Sequence, residues 1–175
     1  MEFSDVIAGR VSCRSYNGKQ VEKADLDKIL KVMELAPTAA HYQAYRVRVT
    51  TDLELIGKFA EITGQQDRFV GATAAIVFFA VPEEGAERFE DRSRKLYSVQ
   101  DATLACAYAQ LAAADLGIAS LWVGSFDEVA VLEACELSRD GSDGLGLWPV
   151  AISLFGYTDK KLEHCERKPL DDLKV

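Results

Sequence analysis

The sequence predicts one α+β domain over residues 1–175, and three observations carry that prediction. Helical periodicities are long while the strand-like runs between them are irregularly spaced, no segment repeats, and there is no regular β-α-β alternation. A chain of 175 residues can close one hydrophobic core without disulfide staples and is short for two. With 49% hydrophobic and 27% charged residues it groups with ordinary globular chains and not with disordered or fibrous ones.

Val21 to Ala36 starts among acidic residues, sets Leu26, Ile29, Leu30 and Met33 on one face, and stops at Pro37, which predicts an amphipathic helix. Tyr45 to Thr51 alternates apolar and polar residues, the period of a strand with one wet face. Asp52 caps a second helix, Leu53 to Ile62. Ala74 to Val81 is a short continuous apolar run ended by Pro82, the mark of a central strand buried on both faces. Pro82 to Lys95 turns abruptly charged and reads as a solvated helix start or a mobile cover over a cleft. Asp101 to Leu116 is apolar nearly all round and rich in alanine, which predicts a helix buried on every side, with a subunit interface as one source of the second partner. Ser120 to Val123 predicts a strand, Asp127 to Leu137 a helix, Arg139 to Gly146 a loop, and Pro149 to Phe155 an apolar strand. Thr158 to Val175 is polar and cannot fold alone, so it is either loose or laid across another surface.

Several chemistries find no support. The net charge of -8 disfavours nucleic acid and anionic membranes as partners. The first ten residues lack the basic start and apolar run of a secretory signal, so a cytoplasmic location is expected. Cys13, Cys106, Cys135 and Cys165 form no metal-binding spacing, and the two histidines, His41 and His164, form none either, so no metal is expected. Cys13 is either a plain buried thiol or one made redox-sensitive by positive neighbours. Gly144 and Gly146 are followed by Pro149 and not by the third glycine of a dinucleotide turn, and no Walker sequence occurs. Neither histidine lies near a nucleophile turn, which disfavours hydrolase chemistry.

Against this acidic background, cationic residues gather at the two ends of the chain. Arg10, Ser12 and Arg14 alternate, so an extended backbone projects all three to one side, and Arg167 and Lys168 stand at the far end. Guanidinium groups with a hydroxyl between them make a phosphate cradle. Arginines scattered over the surface are the alternative.

The opening Arg10-Val11-Ser12-Cys13-Arg14-Ser15-Tyr16 resembles the Arg-x-Ser-x-Arg signature of the FMN-dependent nitroreductase family. Ala36-Pro37-Thr38-Ala39-Ala40-His41-Tyr42-Gln43-Ala44-Tyr45 resembles the family's Ala-Pro-Ser/Thr segment, which usually carries an Asn and then Gln-Pro; His41 and Ala44 depart from it. Gly117 to Phe126 resembles its Gly-Leu-x-Ser-x-Trp-x-Gly-x-Phe run, and Arg167-Lys168-Pro169-Leu170 its terminal Arg-Lys-Pro-Leu.

The resemblance implies a nitroreductase-like fold with a central mixed sheet flanked by helices, in a homodimer whose carboxyl-terminal tails extend onto the partner subunit. It implies FMN at the dimer interface, with Arg10, Ser12 and Arg167 at the phosphate, Val11 among the cofactor contacts, and Arg14 and Arg68 at the pyrimidine edge. Gln65 would add a hydrogen bond to the ring, while Pro37, Thr38, Ala39 and His41 would contact the flavin held mainly by the other subunit. His41 is otherwise a hydrogen-bonded loop histidine without a chemical role. Trp122, Val123, Gly124 and Ser125 would line the opposite side, with a backbone N–H of Gly124 or Ser125 facing flavin N5. No side chain is then a catalytic residue, because the flavin carries the chemistry. The implied activity is transfer of two electrons from NADH or NADPH to a small organic acceptor such as a nitroaromatic or quinone; a flavin-binding sensor or carrier without turnover is the alternative.

Overall fold

The computed structural model describes residues 2–138 and 146–175. Its elements in order are α1 (Phe3–Gly9), α2 (Lys23–Met33), a 3-10 turn (Ala39–His41), β1 (Tyr45–Thr50), α3 (Leu53–Thr63), α4 (Gln66–Phe69), β2 (Ala74–Ala80) and α5 (Ala86–Arg92). A π-helical turn (Ser93–Tyr97) then leads into α6 (Ser98–Asp115), followed by β3 (Ala119–Val123), α7 (Glu128–Ala134), β4 (Trp148–Gly156) and a last 3-10 turn (Leu170–Leu173). Most of the predicted loop, residues 139–145, lies outside the described residues.

The four strands form an antiparallel sheet in the order β1-β2-β4-β3. The parallel part of the expected mixed sheet reduces to one isolated bridge, Ser12 to Ser120, where the amino-terminal segment meets the outer edge of β3. That edge has room for a short stretch only, because the chain turns away after Cys13 N–H donates to Ser120 O at 2.8 Å. β2 is buried along its whole length, as its unbroken apolar run requires.

Alternation along β2 divides the core. Ala75, Val77 and Phe79 face Ile56 and Phe59 of α3 and Val131 and Leu132 of α7. Ile76 and Phe78 face Leu26, Ile29 and Met33 of α2 and Ala102, Ala105 and Ala109 of α6. The alanines bring α6 close to the sheet, and its polar core residues satisfy each other: Gln110 Nε2 donates to Ser153 Oγ at 3.1 Å. Asp52 Oδ1 accepts from Glu54 N–H at 2.9 Å, and Asp127 Oδ1 accepts from Val129 and Ala130 N–H, so the predicted carboxylate cap of α3 forms and α7 gains the same device.

Within one chain α6 is not buried on every side. Leu104 remains 37% exposed, and α1, which packs against α6, leaves Phe3 and Ile7 75% and 45% exposed. The α2 and sheet side is covered; the outer side of this apolar helix is left open. Pro82 to Lys95 folds as a turn, the short helix α5 and the start of the π-helical turn, mostly solvated but with Ala86 and Ser93 buried, and is tied by Arg94 Nε to Glu83 Oε1 at 2.8 Å and by an Arg46–Glu84 ion pair. Residues 158–175 return over the amino terminus: Asn17 Nδ2 donates to Asp159 Oδ1 at 2.9 Å, and His164 Nε2 lies 2.7 Å from Ala8 O. Among the described residues no helix is long and apolar enough to cross a membrane.

Candidate functional site

Two distant stretches of sequence meet at one cavity. Arg10, Val11, Ser12 and Arg14 from the amino-terminal segment and Glu163, His164, Cys165 and Arg167 from the tail enclose about 130 Å³. Arg10 follows α1 with an extended backbone, its N–H donating to Val6 O at 3.0 Å, and the β-bridge at Ser12 continues that extension. The alternation therefore turns Arg10, Ser12 and Arg14 to the cavity and sends Cys13 to the core, where it is fully buried and its thiol donates to Ser15 O at 3.2 Å.

Charge at the cavity is unbalanced. Burial, and after it the Arg167 charge, hold the Arg10 guanidinium below its ordinary pKa. Among the described residues no carboxylate forms an ion pair with Arg10, Arg14 or Arg167; the acidic lining residue, Glu163, is engaged by Lys161 at 3.1 Å. Three guanidinium groups and a hydroxyl therefore line a small cavity against one carboxylate, Glu163, and among the described residues none of the three guanidiniums is ion-paired, a donor set suited to an anion such as phosphate.

The second group of predicted residues lies in the loop after α2. Pro37, Thr38, Ala39 and His41 enter a backbone that is left-handed at Ala40 (φ 45°), His41 (φ 63°) and Gln43 (φ 52°). Each such non-glycine residue costs about 1–2 kcal/mol. Backbone turns close the loop locally, Tyr42 N–H donating to Ala39 O at 3.0 Å, and Asp101 of α6, 2% exposed, ties it to the core by accepting from Ala39 N–H at 2.9 Å through Oδ1 and from Ala44 N–H at 3.1 Å through Oδ2. Burial raises the Asp101 pKa and the two N–H groups oppose that rise. The His41 side chain is exposed and makes no hydrogen bond among the described residues, so the reading of it as a hydrogen-bonded loop histidine does not hold.

Arg68 and Gln65 stand together at the α3–α4 junction, the guanidinium donating to Gln65 Oε1. Trp122 is half-buried and Val123 buried in β3, and Gly124 and Ser125 emerge from it exposed. The Ser12–Ser120 bridge sets this strand beside the cation cavity. No hydrogen bond or ion pair among the described residues joins the Thr38–His41 loop or Arg68 to that cavity. Asp101 escapes the sequence reading, although a carboxylate beside the buried alanines of such a helix signals a partner that must be found.

Similarity to known proteins runs through the amino-terminal segment, β3 and the loop after α2, and the family match ends at residue 157, before the tail. A sequence profile described as the nitroreductase family matches residues 7–66 and 58–157. The chain belongs to the nitroreductase family. This nitroreductase family member is 34% identical over 125 residues to an Archaeoglobus fulgidus protein whose assigned name is NADH dehydrogenase/NAD(P)H nitroreductase, covering 71% of the chain and 68% of that protein. The crystal structure of a nitroreductase family protein from Clostridium difficile 630 superposes with a TM-score of 0.84 at 29% identity, over 100% of this chain and 98% of the other. An FMN-dependent nitroreductase from Clostridium difficile R20291 superposes with a TM-score of 0.79 at 24% identity, covering 98% and 96%. The family and the fold make this member an oxidoreductase in general terms.

Proposed function

We propose that the chain, acting as one domain in a cytoplasmic homodimer, is an FMN-dependent oxidoreductase that moves two electrons from NADH or NADPH to a small organic acceptor such as a nitroaromatic or quinone. The observation that carries this reading is the meeting of Arg10, Ser12 and Arg14 with Arg167 around one small cavity, where no guanidinium is ion-paired among the described residues. The donor set fits the FMN phosphate: Arg10, Ser12 and Arg167 hold its oxygens through charge-assisted bonds, and Arg14 lies one alternation further toward the ring. The name of the Clostridium difficile R20291 protein supports the choice of flavin, and that of the Archaeoglobus fulgidus protein the choice of nicotinamide donor.

When bound, FMN supplies the hydride chemistry at its N5. This chain's own residues bind and orient. Arg14 and Arg68 place positive charge at the pyrimidine edge, Gln65 sets the Arg68 guanidinium, and Gly124 and Ser125 offer backbone N–H groups free of side-chain bulk. Phe3, Ile7 and Leu104 form the apolar surface that a second copy covers, and the Thr38–His41 loop then serves the flavin of the partner subunit. That division explains why the loop and the cation cavity share no hydrogen bond in one chain.

The test is the visible spectrum of the protein supplied with FMN, before and after anaerobic NADH or NADPH. The expected result is a bound flavin band that bleaches with at least one donor. A protein that takes up no FMN overturns the reading, and one that binds FMN yet resists both donors reduces it to a binding module.

A further inference from the structure

We propose that Asp101 is a positioning residue for the flavin: its two carboxylate oxygens lock both ends of the Ala39–Ala44 loop, so that the loop meets the ring already in its binding shape. The proposal rests on the functional reading above and adds a residue outside all of its assigned contacts. The geometry is that of a clamp. Oδ1 takes Ala39 N–H at 2.9 Å and Oδ2 takes Ala44 N–H at 3.1 Å, so each oxygen serves one end of the loop. Between these points three non-glycine residues, Ala40, His41 and Gln43, are held in left-handed conformations that L-residues leave readily when nothing opposes it. The other N–H bonds of the segment are local turns, His41 N–H to Thr38 O at 3.3 Å, Tyr42 N–H to Ala39 O at 3.0 Å and Gln43 N–H to Thr38 Oγ1 at 3.3 Å, and none of them ties the segment to α6 as the Asp101 carboxylate does.

The clamp is anchored where it cannot yield. Asp101 is 2% exposed and sits in the first turn of α6, a helix whose alanines pack on the sheet through Ala102 and Ala105. Ala44 completes the arrangement. Proline, which the resembling segment carries at that place, has no N–H, so the second arm of the clamp exists because residue 44 is not proline. A loop fixed beforehand spares the ligand the ordering cost on binding, and a ring is held by shape where the phosphate is held by charge.

The substitution D101N keeps the volume of the side chain but turns one acceptor into a donor facing a backbone N–H, so it breaks one arm. Amide hydrogen exchange is measured on the FMN-free protein, and FMN and riboflavin affinities by quenching of flavin fluorescence. I76V, a buried change on the same face of the sheet, serves as a control for general destabilisation. The expected result is that the Ala39 or Ala44 amide of D101N loses about tenfold or more of its protection while β2 amides keep theirs. FMN and riboflavin then weaken by a common factor of roughly 5- to 100-fold, and I76V changes neither affinity. Unchanged protection at both amides, or lost protection with wild-type flavin affinity, overturns the proposal. So does an equal flavin loss in I76V. Should D101N not fold, wild-type exchange decides: Ala39 and Ala44 amides must be protected in the FMN-free protein, and exchange at free-loop rates overturns the clamp. Wild-type protein that binds no flavin overturns the functional reading and this proposal together; wild-type binding matched by D101N overturns the proposal alone.

Discussion

At the cation cavity charge stands open and unused, whereas at the Thr38–Ala44 loop a charge is buried and both of its oxygens are committed. Arg10, Arg14 and Arg167 lie at the surface with no carboxylate paired to them among the described residues; Asp101 lies under the surface with a backbone N–H at each oxygen. The first region waits for an external anion. The second has spent its charge on the shape of its own chain. A site built this way divides its work: side chains from two remote segments supply attraction for a charged group, and a shaped backbone supplies the fit for a neutral one.

Removing charge from the first region breaks the comparison most severely. The double variant R10A/R167A loses two charge-assisted contacts of about 1.5–3 kcal/mol each, so FMN affinity falls by roughly 100-fold or more in a fluorescence titration. Riboflavin affinity stays at the wild-type level, and the thermal midpoint holds or rises slightly because the Arg10–Arg167 repulsion is gone. An equal loss for riboflavin would show that the cavity does not act on the phosphate. The D101N variant follows in size with the opposite signature, since there FMN and riboflavin weaken together.

The smallest effect belongs to neither region and shows that the two are separable from the core. Burial, partly offset by Arg48, pushes the Cys135 thiol up to about 11, so the folded state holds a proton that the unfolded state gives up near the ordinary thiol value. Its stabilising share is complete below the unfolded pKa and is lost as the pH climbs to about 11. C135A therefore loses stability less steeply than wild type over that alkaline range in denaturant titrations at graded pH, with FMN affinity unchanged at neutral pH. An identical slope in both proteins would contradict the assignment.

The same contrast explains what was legible in the sequence. Apolar runs and caps state their roles locally: the short β-branched and aromatic run Ala74–Ala80 favours a buried strand, and Asp52 before Leu53 favours a helix start, and both form. The cation cavity was half legible, because alternation aligns Arg10, Ser12 and Arg14 but only the fold brings Arg167 to them from the far end. The loop was hidden. Nothing in Thr38 to Ala44 contains a glycine that would announce left-handed backbone, and its support comes from a carboxylate 62 residues from Ala39. Helix α1 went unread because it is 7 residues long and has no side-chain cap, and the small apolar residues of α6 continue past the side that one chain covers, so the expected burial on every side calls for a partner outside the single chain.

The most direct measurement compares FMN with riboflavin on the wild-type protein freed of flavin, by titration at fixed salt. If guanidiniums from both ends of the chain grip the phosphate, FMN binds at least about tenfold more tightly than riboflavin, the size expected when even one charged hydrogen bond separates them. Equal affinity for the two, or uptake of neither, would contradict the account.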